Sequence, residues 1–134
     1  MARGSLPQTG DLLVSAAMAE VAETGIAPER VTQLAGAQLV DVRTDEEWAA
    51  GRVPGARHVP LDALGTAAEQ LDPERPVVFY CRVGERSAMA AEAFKASGWD
   101  AYTVEGGLLA WAEQGLPLEP EDGEVASHSS IPDF

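Results

Sequence analysis

The chain of 134 residues has little cysteine, little positive charge and few aromatic residues. Cys81 is its only cysteine. That excludes an intrachain disulfide and any zinc site built on several thiolates, and it fits a reducing compartment, so a cytoplasmic location is expected. Nine Lys and Arg stand against 22 Asp and Glu, a formal charge of −13. A nucleic-acid binder needs a basic patch to displace counterions, and no two basic residues here are adjacent. Nucleic acid and anionic membranes are therefore poor partners. No stretch approaches the ~20 apolar residues of a spanning helix. Near the N-terminus, Asp11 and Glu20 bracket a short apolar patch and reduce its likeness to a signal peptide.

What is present suits one domain, because a chain of this length buries roughly two-thirds of its unfolded surface without staples. The charge is uneven. Residues 1–95 hold all nine bases and 14 of the acids, while residues 96–134 hold eight acids and no base. The closing stretch EPEDGEVASHSSIPDF is rich in Pro, Gly, Ser and acids and reads as a disordered, solubilising tail. Ile131 and Phe134 leave room for a docking end there.

Short apolar strands alternate with helical patterns, and no internal repeat is visible. Ala37–Val42 and Pro76–Tyr80 are the clearest strands, Ala101–Val104 is a third, and Arg57–Val59 a weaker fourth. Thr44 or Asp45 caps a short helix over Glu46–Ala50 that Gly51 ends, and Ser87–Lys95 and Leu108–Gln114 are further helices. Asp11–Glu23 has apolar residues at helical spacing, and Pro28–Leu34 follows it. Continuous apolar strands alternating with helices indicate an α/β fold, a parallel sheet covered on both faces.

In such sheets ligands sit beyond the carboxyl ends of the strands. The segment Cys81-Arg82-Val83-Gly84-Glu85-Arg86-Ser87 has that position, between the most apolar strand and the Ala-rich helix. A loop opening a helix can turn successive N–H groups inward to hold an anion, and the helix dipole and two guanidinium groups, Arg82 and Arg86, favour the thiolate as well. Gly84 allows a tight turn. A buried, inert cysteine is the competing reading, but it requires none of these neighbours.

Four ordered segments resemble the rhodanese-like family of single-domain sulfurtransferases: Leu39-Val40-Asp41-Val42-Arg43 with Glu46-Glu47-Trp48 and Gly51; Val53-Pro54-Gly55-Ala56-Arg57-His58-Val59-Pro60; the Cys81–Ser87 loop; and Val104-Glu105-Gly106-Gly107 with Trp111, Gly115 and Pro117. Arg52 replaces the histidine usual after Gly51. The resemblance implies a parallel sheet of about five strands with helices on both faces, with the domain at residues 25–118, an N-terminal extension at 1–24 and the acidic tail at 119–134. It also implies that Cys81 takes sulfane sulfur from a donor such as thiosulfate, forms a persulfide, and passes the sulfur to cyanide or a thiol. No cofactor or metal is expected.

On this reading the backbone N–H groups of Arg82, Val83, Gly84, Glu85, Arg86 and Ser87 hold the anionic persulfide. Arg82 attracts the donor; Arg86 either contacts it or pairs with Asp41 or Glu47 to brace the loop; Ser87 is either a helix cap or a ligand contact. Asp41, Arg43 and Glu47 support the loop. Trp48, Trp99 and Trp111 are packing residues, and neither His58 nor His128 has a convincing role as a base. Two alternatives stand beside the enzyme. One is a carrier or sensor that hands sulfur to a protein partner. The other is a phosphatase or arsenate reductase, disfavoured because four residues rather than five separate Cys81 from Arg86.

Overall fold

The computed structural model describes residues 24–125. In chain order these form β1 (Gly25–Ile26), α1 (Pro28–Val31), β2 (Gln38–Asp41), α2 (Asp45–Ala50), β3 (Arg57–His58), a chain of short helical turns from Leu61 to Gln70 that includes α3 (Leu64–Ala67), β4 (Val77–Tyr80), α4 (Glu85–Ala96), β5 (Ala101–Val104) and α5 (Gly107–Glu113). The five strands make one parallel sheet in the order β1-β5-β4-β2-β3.

The central strand is β4, and all four of its residues are buried. Successive side chains of a strand point to opposite faces, and β4 shows why it needs two apolar covers. Val77 and Phe79 enter one cluster with Val40, Val42, Ala90 and Ala91, under α4; Val78 and Tyr80 enter the other with Val31, Leu108 and Trp111, under α1 and α5. An edge-on aromatic chain, Phe79 to Phe94 to Trp99, anchors the far end of α4. Cys81 and Val42, the first residues beyond β4 and β2, still belong to the α4-side cluster, so the loops after these strands start from a rigid floor.

The four expected strands are present, each trimmed at its ends except β5. The helices differ in particulars. Thr44, rather than Asp45, caps α2: its hydroxyl accepts from Glu47 N while the Glu47 side chain accepts from Thr44 N, a reciprocal capping box. The helix expected over Pro28–Leu34 stops at Val31, where Thr32 bonds back to the Glu29 carbonyl. The helical turns between Leu61 and Gln70 were not anticipated; with Gly65 in their midst they carry no long periodic pattern. Nor was β1, which is two residues long and exists through its pairing with β5, Gly25 opposite Thr103. The proposed helix at Asp11–Glu23 lies outside the described residues.

The chain stays packed on the domain past the expected boundary at residue 118. Arg52 and Glu119 exchange two backbone hydrogen bonds, Glu124 N donates to the Ala50 carbonyl at 2.8 Å, and Val125 packs on the α5-side cluster. Backbone pairing holds residues 119–125, which composition does not report, and residues 126–134 of the expected tail lie outside the described residues. Among the described residues no helix is long and apolar enough to cross a membrane, and no group of His, Cys, Asp and Glu is arranged to hold a metal ion.

Candidate active site

The loop from Cys81 to Ser87 leaves the carboxyl end of β4 and runs directly into α4. Gly84 caps the helix with φ +114°, a left-handed conformation that side chains rarely adopt. This turn points Gly84 N at the Cys81 sulfur, 3.1 Å away, and Ser87 N approaches the same atom at 3.4 Å. Ser87 Oγ lies 3.5 Å from Sγ. Ser87 is the third residue of α4 and not its cap, and its hydroxyl also meets the Gly84 carbonyl and Thr103 Oγ1. Of the loop amides expected to converge, those of Gly84 and Ser87 reach Sγ itself.

A second helix end holds the loop from outside. Leu108 N donates to the Cys81 carbonyl at 2.8 Å and Leu109 N to the Arg82 carbonyl at 3.0 Å, so the first amides of α5 draw the loop carbonyls away from the sulfur. The close approach depends on Gly107. A Cβ there would stand 2.4 Å from the Arg82 oxygen and 2.6 Å from the Cys81 oxygen, and its φ of +64° also excludes most residues. The Gly106-Gly107 pair is thus a site feature, and its signal in the sequence is a glycine pair placed just after a strand.

Arg86 pairs with Glu47 and not with Asp41. The contact is bidentate, Nη1 to Oε1 at 2.8 Å and Nη2 to Oε2 at 3.0 Å. Burial raises the Glu47 carboxyl, but the hydrogen bonds from Arg86 and from the Thr44 backbone, with the charge of Arg86, outweigh it and hold the group at about 2. Glu47 in return pushes Arg86 up. Arg86 also lines a cavity of about 620 Å³ whose other walls include Thr44, Glu46, Leu61 and Asp62.

Asp41 and Arg43 bond to each other, and Arg43 lines the same cavity as Arg86. Both are fully buried, paired through Nη2 to Oδ2 at 2.6 Å, and Arg43 Nη2 also donates to the Gly51 carbonyl at 2.7 Å. Arg43 Nη1 has no partner among the described residues, although the guanidinium lies 5.7 Å from the centre of the Tyr80 ring. Their connection to Cys81 runs through Tyr80. Its hydroxyl accepts from Val53 N at 3.0 Å, and burial followed by the Asp41 charge pushes the phenol up. Trp111 is buried. Trp48 is half-buried, between the His58 ring, stacked at 4.8 Å, and the Arg52 guanidinium at 4.9 Å. The arginine that replaces the usual histidine therefore covers an indole face. His58 bonds the Arg43 carbonyl through Nε2 at 2.9 Å.

The Cys81 thiol thus stands just past the central strand, within reach of two loop amides and next to the turn of α4 that carries the Arg86–Glu47 pair. The rhodanese-like domain profile matches residues 27–114. The chain belongs to the rhodanese-like family. Among its relatives, a sulfurtransferase of Allochromatium vinosum is 33% identical over 96 residues, covering 71% of this chain and 90% of that protein. The thiosulfate sulfurtransferase GlpE of Pseudomonas aeruginosa is 35% identical over 103 residues, covering 75% and 93%. The crystal structure of a rhodanese-like domain protein from Staphylococcus aureus, 33% identical, superposes with a TM-score of 0.61 over 77% of this chain and 98% of that one. In this rhodanese-like domain, then, the five-stranded parallel sheet places Cys81 at the carboxyl end of its middle strand.

Proposed function

We propose that this rhodanese-like domain is a sulfurtransferase that carries sulfane sulfur on Cys81 as a persulfide, taking it from a donor such as thiosulfate and giving it to cyanide or a thiol. The observation that carries this reading is the Cys81 sulfur receiving the Gly84 and Ser87 amides at the N-terminus of α4. Inert packing uses no such donors, whereas an anionic sulfur needs them. In the first half-reaction the thiolate attacks the outer sulfur of thiosulfate. An S–S bond forms on Cys81, the donor's S–S bond breaks, and its electron pair leaves with sulfite. In the second, cyanide or a thiolate attacks the outer persulfide sulfur, and the Cys81 thiolate departs. The relatives named as sulfurtransferases support the class of reaction.

One observation favours a variant of this reading. Cys81 is 0% exposed, so any donor or acceptor must be admitted by the loop before it reaches the sulfur. A protein partner that engages the loop can supply that admission, which suits a carrier that hands sulfur to another protein.

Incubation with thiosulfate is the direct test. Intact mass is expected to rise by one sulfur atom, localised to Cys81 and removed by cyanide. An unchanged mass at neutral pH overturns the reading. Turnover with small thiols alone favours the free-standing enzyme, and turnover that quickens only with cell extract favours the carrier.

A further inference from the structure

Behind Ser87 stands a side chain that the loop sequence does not contain. Thr103 on β5 is buried, and its Oγ1 lies 2.6 Å from Ser87 Oγ, at the short end for a hydroxyl pair. Ser87 Oγ has three polar neighbours: Thr103 Oγ1, the Gly84 carbonyl at 3.3 Å and Cys81 Sγ at 3.5 Å. A hydroxyl carries one proton and can accept more than one hydrogen bond. The Gly84 carbonyl already accepts from Ala88 N at 2.9 Å, so it loses little if Ser87 turns its proton elsewhere.

The two protonation states of Cys81 ask different things of Ser87. A thiol can donate to Ser87 Oγ, and the serine proton then goes to Thr103 or to the Gly84 carbonyl. A thiolate can only accept. The serine proton must then point at the sulfur, and of the three neighbours only Thr103 can donate to the serine oxygen in return.

We propose that Thr103 is a positioning residue for the Cys81 sulfur: by donating to Ser87 Oγ it turns the serine proton toward Sγ whenever that sulfur is anionic. The role rests on the sulfurtransferase reading only in treating Cys81 as the reacting atom. It gives a use to a buried hydroxyl on a strand whose other buried residues are Ala101 and Val104.

The test uses the full chain with Thr103→Val, which removes the hydroxyl at nearly constant shape, and Thr103→Ser, which keeps it. The first readout is the rate of Cys81 alkylation by iodoacetamide across pH. T103V is expected to move the half-maximal rate to higher pH and to slow neutral-pH alkylation roughly three- to tenfold, the range set by one hydrogen bond. T103S restores both. Ser87→Ala reproduces the T103V profile, and adding T103V to S87A changes it no further, because Thr103 acts through Ser87. A merely structural role would lower the melting temperature and leave the pH profile in place. A wild-type profile for T103V, or no rescue by T103S, overturns the proposal; should T103V not fold, T103A is judged by the same profile. Because alkylation needs no sulfur donor, this outcome is separate from thiosulfate loading.

Discussion

The Arg86 guanidinium and the Glu47 carboxylate meet fork to fork, at 2.8 and 3.0 Å, across 39 positions of sequence. Glu47 is also the residue that closes the capping box of α2 with Thr44. One carboxylate thus ties the start of α2 to the first turn of α4. The side chain of Glu47 is 1% exposed and that of Arg86 25%, so solvent screens the pair little on one side. The loop that carries Cys81 is braced by a charge that also builds a helix terminus.

Acid should loosen this brace. Glu47 is held at about 2 against an ordinary 4.5, so the folded state favours its ionised form. That stability is fully present above about pH 4.5 and is lost as pH falls toward 2, a contribution on the order of 3 kcal/mol. Urea unfolding measured from pH 6 down to about pH 2.5 is expected to show the decline, and Glu47→Gln is expected to flatten it. An equal slope in both proteins contradicts the assignment.

The same substitution bears on activity. Glu47→Gln keeps the length and the capping oxygen but leaves Arg86 without its counter-charge, so destabilisation of about 1–3 kcal/mol is expected. Sulfur transfer is expected to fall as the loop loses its brace, with thermal melts and thiosulfate turnover read on the same samples.

Gly107→Ala tests the hold of α5 on the loop. The new Cβ meets the Arg82 and Cys81 carbonyl oxygens at 2.4 and 2.6 Å, and backbone has no flexible end to swing aside. A cost of about 2 kcal/mol or more is expected, with a drop in Cys81 alkylation as the amides lose register. Gly98→Ala, also at positive φ but with nothing within 4 Å, carries the backbone strain alone and serves as the control.

Two truncations measure what the 119–125 segment contributes. Ending the chain at residue 118 removes both bonds between Arg52 and Glu119 and the Glu124 contact to Ala50, at about 1 kcal/mol each. Ending it at residue 125 removes none of them. The shorter protein is expected to melt lower; identical melting curves would show the 119–125 contacts to be negligible.

Cys81→Ser is expected to abolish sulfur transfer and leave the melting curve nearly unchanged, since the side chain changes by one atom among the same neighbours. Residual transfer would remove Cys81 from its role.

Much of this was legible in one dimension because it depends on local pattern. The apolar run at Val77–Tyr80 announced a strand buried on both faces, Thr44 or Asp45 before Glu46–Ala50 announced a capped helix, and a lone cysteine between strand and helix with a glycine and two arginines pointed to the candidate site. The resemblance of four ordered segments then named the family. Where local pattern is weak, the reading was weak. β1 is two residues held by β5, the helical turns over Leu61–Gln70 contain glycine and lack a face, and the 119–125 segment is held by backbone bonds that no side chain advertises.

The sequence by itself determined that there is one thiol, that it begins a loop rather than ending a core strand, and that the local charge there is favourable despite a formal total of −13. Only the tertiary structure decided which groups face it. Arg86 had two carboxylates to choose from, and Glu47 holds it because α2 brings that residue alongside α4, while Asp41 is occupied by Arg43. Thr103 and Gly107 reach the loop because the strand order sets β5 beside β4, so that the residues in and just after β5 lie against Cys81. Sequence pattern reports what each segment becomes; partners far apart in the chain are chosen by how the parallel strands are ordered, and that order is a property of the packed sheet.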